Sequence, residues 1–527
     1  MFESWDYDPD AVPVRSGHFI AGGLVEDRPA IEVRRPSDGV VYAAIPEAGE
    51  EGVDRAVAAA RKAFQDCDWA RIEPRRRARI LRRWADLLEK QADELAVLES
   101  LGSTRPVADA RAWDVPFAAE SLRFFAEYAD KLGGDVAATR GDHLGLVASE
   151  PYGVVAAIAP WNLPLVMAAW KCGPALAAGN AVVLKPSELT PFSALRFAEL
   201  ALEAGLPPGI LNVVNGSGAR TGDALVRHAD IGKITFTGST RSGAAVMTAA
   251  AQTGLKPVTL ELGGKCPQIV FADAPGIERV AAIVSRAILL NAGQVCVAGS
   301  RLLVHHSIRD ELVARIIELL RKPEPGATWE KRAMLPPIVS QRQAMRIDGI
   351  VKTSLAEGAE ALCGGGWDSS APHYRPTVLG GVTSETTAVR EEIFGPVLTV
   401  QSFADEEEAW TLAAHGAYGL AAGVHTADVS RALRAVRKLE AGTVWVNRYG
   451  RSEDFVIPTG GFKSSGEKAG LVIKGTFRIS VDNTETLIEE GDSFQFDSEL
   501  PHWVKNERDE VSVLMWIMVR SNPLHQI

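Results

Sequence analysis

Apolar positions recur at helical spacing through the first third of the chain. "GVDRAVAAARKAF" and "RARILRRWADLLEKQADELAVLES" both predict amphipathic helices. From residue 153 the pattern changes to short β-rich runs, "GVVAAIAPW", "AVVLKPS", "ILNVVNG" and "KITFTGS". Each ends in a loop with Gly, Pro, Ser or Asn, and helical stretches such as "SALRFAELALEAG" and "SGAAVMTAAAQTG" lie between them. That alternation predicts an α/β fold, a parallel sheet with crossover helices. Ligands in such sheets sit at the carboxyl ends of the strands, where these loops fall. A second α/β region follows "VTLELGGK", with "PQIVF", a helix near 276–291 and "SRLLVHH". Past residue 470 the pattern is all-β: "LVIKGTFRISV" alternates, "DNTE" reads as a turn, and "EEGDSFQF" and "VSVLMWIMV" read as further strands.

Composition marks the same break. Ala469 is the last alanine, and none occurs from Leu471 to Ile527. The length of 527 residues predicts more than one domain. A net charge of -11 excludes a general nucleic-acid binder, which needs a basic face. The basic stretch "RIEPRRRARILRRW" is the exception, and it is read as a solvated helix face. No apolar run approaches the ~20 residues that span a bilayer. The start, "MFESWDYDPD", is acidic and lacks an apolar core, so a cytoplasmic protein is expected, without membrane partners. Five cysteines without a CxxC pair argue against a disulfide framework or a zinc site, so no metal is expected.

Several loops carry groups that could do chemistry. In "LLNAGQVCVAGS", Cys296 follows a helix among small residues, where a thiol could be an exposed nucleophile. A lone cysteine is also, more often, a small buried hydrophobe. Glu261 ends an apolar strand before two glycines; partial desolvation there raises a carboxylate toward a useful base, and a turn cap is the plainer alternative. Asn162 in "IAPWNLP" could donate to an oxyanion, or simply belong to a Pro-rich turn. Lys185 and Glu188 in "VVLKPSE" suit the hydroxyls of a ribose, or form a surface pair. In "FTGSTRSG", Gly238 and Ser239 open a helix whose N-terminal amides could hold a pyrophosphate, although the spacing is not GxGxxG.

Taken in order, "PWNLP", "KPSE", "FTGST", "LELGGK", "GQVC", "EEIFGPV" and "GTVWVN" resemble the NAD(P)-dependent aldehyde dehydrogenase superfamily. The resemblance runs from about residue 18 to Gly466. It implies two Rossmann-type domains: residues 1–132 with 152–262 for NAD, and 263–466 for catalysis, with an oligomerisation hairpin at 133–151. It makes Cys296 the nucleophile, Asn162 and the Cys296 backbone N–H the oxyanion donors, and Glu261 the base that hydrolyses the thioester. The glutamate favours a free carboxylic acid over transfer to coenzyme A. By the same resemblance Lys185 and Glu188 hold the adenosine ribose, Ser239 meets the pyrophosphate and Trp161 lines the cofactor groove. Glu392 holds the nicotinamide ribose with Phe394 beside it, and Gln343 is a further ribose contact. Glu188 would repel a 2′-phosphate, which favours NAD over NADP.

The substrate pocket implied by family position comprises Phe117, Leu163, Met167, Trp170, Val295, Val297 and the loop 448–461. Asp114, Glu453 and Asp454 could put negative charge at its mouth, which would suit an ω-aminoaldehyde; a solvated acidic loop is the alternative. Beyond "GGFKSSG" the family pattern stops. Residues 471–527 resemble the second half of a cupin barrel, with Gly491, Asp492, Pro501, His502 and Asn506 in its motif. The HxH of a metal-binding cupin is absent. The lost family tail puts the usual dimer or tetramer, and fine control of hydrolysis, in question. A half barrel is expected to pack on the body or on a second subunit. The competing reading is a non-catalytic sensor or structural subunit on this scaffold.

Overall fold

The computed structural model describes residues 7–140, 142–330, 334–369 and 371–450, then 455, 460–461 and six strands between 468 and 517. Two seven-stranded sheets form the body. The first has the order Val258–Glu261, Lys233–Thr237, Val154–Ile158, Ala181–Lys185, Leu211–Val213, His18–Ile20, Gly23–Val25. Its first five strands are parallel, and the last two join antiparallel. Sequence order reverses at Val154–Ile158, which has Lys233–Thr237 on one side and Ala181–Lys185 on the other. A crevice opens at such a switch point. The second sheet runs Glu360–Cys363, Thr377–Gly380, Val397–Phe403, Arg301–His305, Pro267–Val270, Ala421–His425, Thr443–Val446. Only its first pair is antiparallel. The α/β reading of both regions holds.

Helices form where the apolar spacing put them, at Gly49–Asp66, Phe192–Glu203, Thr240–Gln252 and Ile277–Leu289. The long run from Arg77 to Ser100 is instead two helices, Pro74–Lys90 and Ala92–Gly102, parted at Gln91. In the first of these, Leu81, Trp84 and Leu88 are fully buried. The Trp84 indole N–H donates to Phe197 O at 3.0 Å and its ring lies 4.2 Å from that of Phe197. The basic stretch is a solvated face with one correction. Arg77 points inward and donates to four carbonyls, of Trp69, Ala70, Ile72 and Ala177. Those acceptors compensate the burial of its charge.

A two-stranded hairpin, Asp135–Ala137 with Gly145–Val147, stands within 133–151. It leaves Val136, Leu146 and Val147 exposed. The tail is all-β, as its alternation predicts, in two three-stranded antiparallel sheets. One holds Ser493–Phe496, Lys468–Lys474 and Val513–Ile517; the other holds Thr484–Glu489, Thr476–Val481 and His502–Asn506. "LVIKGTFRISV" is therefore not one strand. Lys468–Lys474 and Thr476–Val481 lie in different sheets, and the first begins three residues before Leu471. Gly491, Asp492 and Pro501 lie outside the described residues.

Candidate active site

The carboxyl ends of the first sheet and the loops of the second enclose one cleft of about 1860 Å³. Asn162, Glu261 and Cys296 all line it. So do Trp161, Lys185, Glu188, Gly238, Ser239, Gln343, Glu392 and Phe394, and Phe117, Leu163, Met167, Trp170, Val295 and Val297. Glu453 and Asp454 lie outside the described residues.

Cys296 is carried by an unusual stretch of backbone. Asn291, Ala292 and Gly293 follow one another in the left-handed region, with φ of 50°, 51° and 72°. Such residues persist only where surroundings hold them. Here Thr104 Oγ1 donates to Asn291 Oδ1 at 2.7 Å, and Gln294 Nε2 donates to Asn291 O and Pro337 O at 3.0 and 3.1 Å. Val339 N–H closes the other side of Gln294, donating to Oε1 at 3.0 Å. A Cβ on Gly293 would lie 2.2 Å from Gly395 O, so this position also requires close backbone approach. Asn162 follows strand Val154–Ile158. Its Nδ2 donates to Gln294 O at 2.9 Å, and its own carbonyl accepts from Asn291 Nδ2 at 3.2 Å. The oxyanion donor and the nucleophile loop are thus fastened to each other.

Glu261 ends its strand in register with Thr237, and its carbonyl accepts from Gly238 N–H at 3.1 Å. Motif reading missed the buried Lys171 nearby, on helix Pro164–Ala177. Its Nζ donates to Thr235 Oγ1 at 3.3 Å. Burial pulls this amine down to about 7, against the opposing pull of the Glu261 charge. Glu99 was missed too. It is fully buried, accepts from Leu165 N–H at the start of the same helix, and burial pushes its carboxyl up to about 8.

On the cofactor side, Lys185 Nζ lies 3.3 Å from Glu188 Oε2 at the end of its strand. Burial lowers the lysine, and Glu188 opposes that shift. Ser239 caps helix Thr240–Gln252, accepting from Ser242 N–H at 3.2 Å. Glu392 accepts from Gly264 N–H at 3.0 Å, and a Cβ on Gly263 would meet Glu392 Oε2 at 2.2 Å. Burial raises the Glu392 carboxyl to about 6, against the Gly264 hydrogen bond, Arg346 and Lys265. Phe394 has φ of 56° and lies edge-on to Trp161 at 5.4 Å. Gln343 Nε2 donates to the carbonyls of Ile393 and Phe394 at 3.2 and 3.0 Å, and Arg346 donates to those of Ile393 and Glu392. Gln343 therefore holds the Glu392–Phe394 loop in place. A cation–carboxylate pair, a helix N-terminus and a second carboxylate in one cleft form a donor set that fits a dinucleotide.

Phe117 centres an aromatic wall. Its ring stacks on Trp113 at 4.7 Å and lies 5.8 Å from Trp170 and 4.7 Å from Phe455. Trp113 was not singled out by sequence. Asp114 does not put charge at the mouth. It is fully buried and paired with Arg105, Nε to Oδ2 at 2.8 Å and Nη2 to Oδ1 at 3.1 Å. Among the described residues no cluster of three metal-ligating side chains occurs.

Two mostly parallel sheets, with a cysteine and a strand-end glutamate in one cleft, define a class, and comparison with known proteins agrees. The profile of the aldehyde dehydrogenase family matches residues 24–476, and that of the cupin domain matches 457–518. The chain belongs to the aldehyde dehydrogenase family. It is 44% identical, over 414 residues, to the NADP/NAD-dependent aldehyde dehydrogenase PuuC of Escherichia coli, covering 79% of this chain and 83% of that one. Among solved structures it is similar to γ-glutamyl-γ-aminobutyraldehyde dehydrogenase of Burkholderia cenocepacia, at TM-score 0.84 and 43% identity over 88% of this chain and 94% of that one. It is also similar to indole-3-acetaldehyde dehydrogenase of P. syringae, solved with NAD+ and IAA, at TM-score 0.84 and 39% identity over 93% and 98% of the two chains.

Proposed function

We propose that this chain oxidises an aldehyde to a carboxylic acid with NAD, through a covalent intermediate on Cys296. The observation that carries this reading is that Cys296, Asn162 and Glu261 share one cleft with the cofactor-side residues. The Cys296 sulfur, as the thiolate, adds to the carbonyl carbon, and the oxygen becomes a thiohemiacetal oxyanion. Asn162 Nδ2 and the Cys296 N–H donate to that oxygen. A nicotinamide held by the cofactor-side residues would supply the redox chemistry, as acceptor of the hydride whose loss leaves the thioester. Glu261 then takes a proton from water, and the resulting hydroxide attacks the thioester carbon. The acid leaves and Cys296 is regenerated. The charge of Glu261 and that of protonated Lys171, whose amine burial lowers to about 7, favour each other.

The cofactor roles follow chemistry. Lys185 and Glu188 would hold the adenosine ribose, the helix that begins after Ser239 the pyrophosphate, and Glu392 the second ribose. The carboxylate of Glu188 favours NAD over NADP, while a relative named NADP/NAD-dependent supports use of both. The first sheet, with residues 1–132 and 152–262, is the NAD-binding domain, and 263–466 the catalytic one. For the substrate, the relative named for γ-glutamyl-γ-aminobutyraldehyde supports an ω-aminoaldehyde or its derivative, lying along Phe117, Trp113 and Trp170. The exposed hairpin at 133–151 and the cupin tail suit a homo-oligomer, dimer or tetramer. No described helix is long and apolar enough to cross a membrane, and a cytoplasmic setting fits the five free cysteines. The intact catalytic set disfavours a non-catalytic sensor. Cys296→Ala should abolish NADH formation across a panel of aliphatic, aromatic and ω-amino aldehydes while NAD still binds. Turnover by that variant would overturn the assignment.

A further inference from the structure

The nucleophile sits on a tight turn. Ala298 N–H donates to Val295 O at 3.0 Å, which makes Cys296 and Val297 the two central residues. In such a turn the carbonyls of the central residues have no partner within it. Buried carbonyls need partners from elsewhere. Two side chains provide them. The Tyr449 hydroxyl donates to Val297 O at 3.0 Å, and the Cys266 thiol donates to Cys296 O at 3.7 Å. The two donors also contact each other. Cys266 is fully buried, and burial pushes its thiol up to about 11. It therefore stays protonated, a donor and not a second nucleophile.

The surroundings are shaped for this approach. A Cβ on Gly264 would lie 2.5 Å from Cys296 O and 3.0 Å from Cys266 Sγ. A Cβ on Gly423 would lie 2.6 Å from the Tyr449 ring. The Trp445 ring packs against that ring, with centroids 4.7 Å apart and planes at 62°. The clamp joins three separate parts of the chain: the segment after Glu261, the nucleophile turn, and the loop after strand Thr443–Val446.

We propose that Cys266 and Tyr449 are positioning residues, which fix the peptide planes on the C-terminal side of Cys296 and so aim its sulfur at the aldehyde carbon. The inference rests on Cys296 being the nucleophile. Both bonds go to backbone carbonyls of the turn, so the two side chains act on the sulfur through the backbone that carries it. A displacement near 1 Å at a reacting centre can cost about 100-fold in rate. Tyr449→Phe and Cys266→Ala should each lower kcat at least roughly tenfold by this route. The KM and Kd for NAD should stay within about twofold of the parent, because the cofactor side is untouched. Cys266→Ser keeps a donor, and it should recover most of the kcat that Cys266→Ala loses.

The test is steady-state kinetics of the full chain and these three variants with one aldehyde, beside NAD binding by calorimetry and melting temperature. Loss of kcat with unchanged NAD affinity, and rescue by serine, supports the clamp. A kcat within twofold of the parent in both Tyr449→Phe and Cys266→Ala overturns it, and so does serine behaving like alanine. Should the tyrosine variant fail to fold, the serine–alanine pair still decides. A parent chain that forms no NADH with any aldehyde sinks the proposed function instead, a separate outcome.

Discussion

The two walls of the cleft are built on different principles. The adenosine side of the cofactor wall uses regular pieces, a strand, a short loop and a helix start, with each group close in sequence to its support, whereas Glu392 and Phe394 are tied from Gly264, Gln343 and Arg346. Lys185 meets Glu188 three residues on, and Ser239 caps the helix it precedes. The nucleophile wall uses irregular backbone held by distant side chains. Three left-handed residues precede Cys296, and the loop is fastened by Asn162, Thr104, Tyr449 and Cys266. Regular elements tolerate the loss of one side chain better than a loop held by single long-range bonds. Where charge develops on a substrate, the protein has invested in the less forgiving wall.

That contrast can be broken or sharpened by graded substitutions. The largest effect is expected at Asn162. Asn162→Ala removes a donor to the oxyanion and a tie to Gln294 O, and should lower kcat by about 3–4 kcal/mol of transition-state stabilisation. A decrease under tenfold in stopped-flow or steady-state kcat would put the oxyanion elsewhere. Next is Gly293→Ala, which forces a Cβ into a left-handed residue against Gly395 O. The strain is roughly 1–3 kcal/mol or more, read as a lower melting temperature together with lost activity.

A pH effect at Glu392 should follow. Its native carboxyl is raised from 4.5 to about 6. The folded chain therefore holds that proton more tightly than the unfolded chain between those values. This contribution to stability is full below pH 4.5 and is lost as pH rises through about 6. The melting temperature of the parent, relative to Glu392→Gln, should fall across that window; a flat difference would contradict the assigned environment. The smallest effect is expected on the regular wall. Ser239→Ala removes one helix cap, about 1 kcal/mol of stability, and should raise the KM for NAD without changing kcat. If it instead matched Asn162→Ala, the contrast between the walls would fail.

The same contrast explains what could be read from sequence. Strand–loop–helix punctuation is local, so "VVLKPSE" and "FTGSTRSG" announce both their conformation and their chemistry. Lys185, Glu188, Gly238 and Ser239, which lie on those motifs, line one cleft with the described candidate residues that the resemblance implied, Asp114 excepted. Long-range pairing is not local. Asp114 looked like a charge at the mouth because nothing in its neighbourhood shows that Arg105, nine residues earlier, folds back onto it. Lys171 is hidden in an apolar helix, and only the sheet behind it brings Thr235 and Glu261 near. The bonds of Tyr449 and Cys266 to the nucleophile turn are hidden for the same reason. In the tail, alternation announced strands but not which sheet each would join, so one run became two strands.

Strand Lys468–Lys474 lies wholly inside both family matches, since the dehydrogenase match ends at 476 and the cupin match begins at 457. Its hydrogen bonds go to Ser493–Phe496 and Val513–Ile517 in the tail. The two units are therefore spliced with an overlap and have no spacer between them. A cut after Gly470 would sever this strand: Phe494, Gln495 and Phe496 would lose their partners Gly470, Ala469 and Lys468, and Ser493 alone would keep its partner, Leu471. Any dissection of the two units must therefore place its boundary upstream of Lys468, and the tail should be thought of as sewn in through a shared seam.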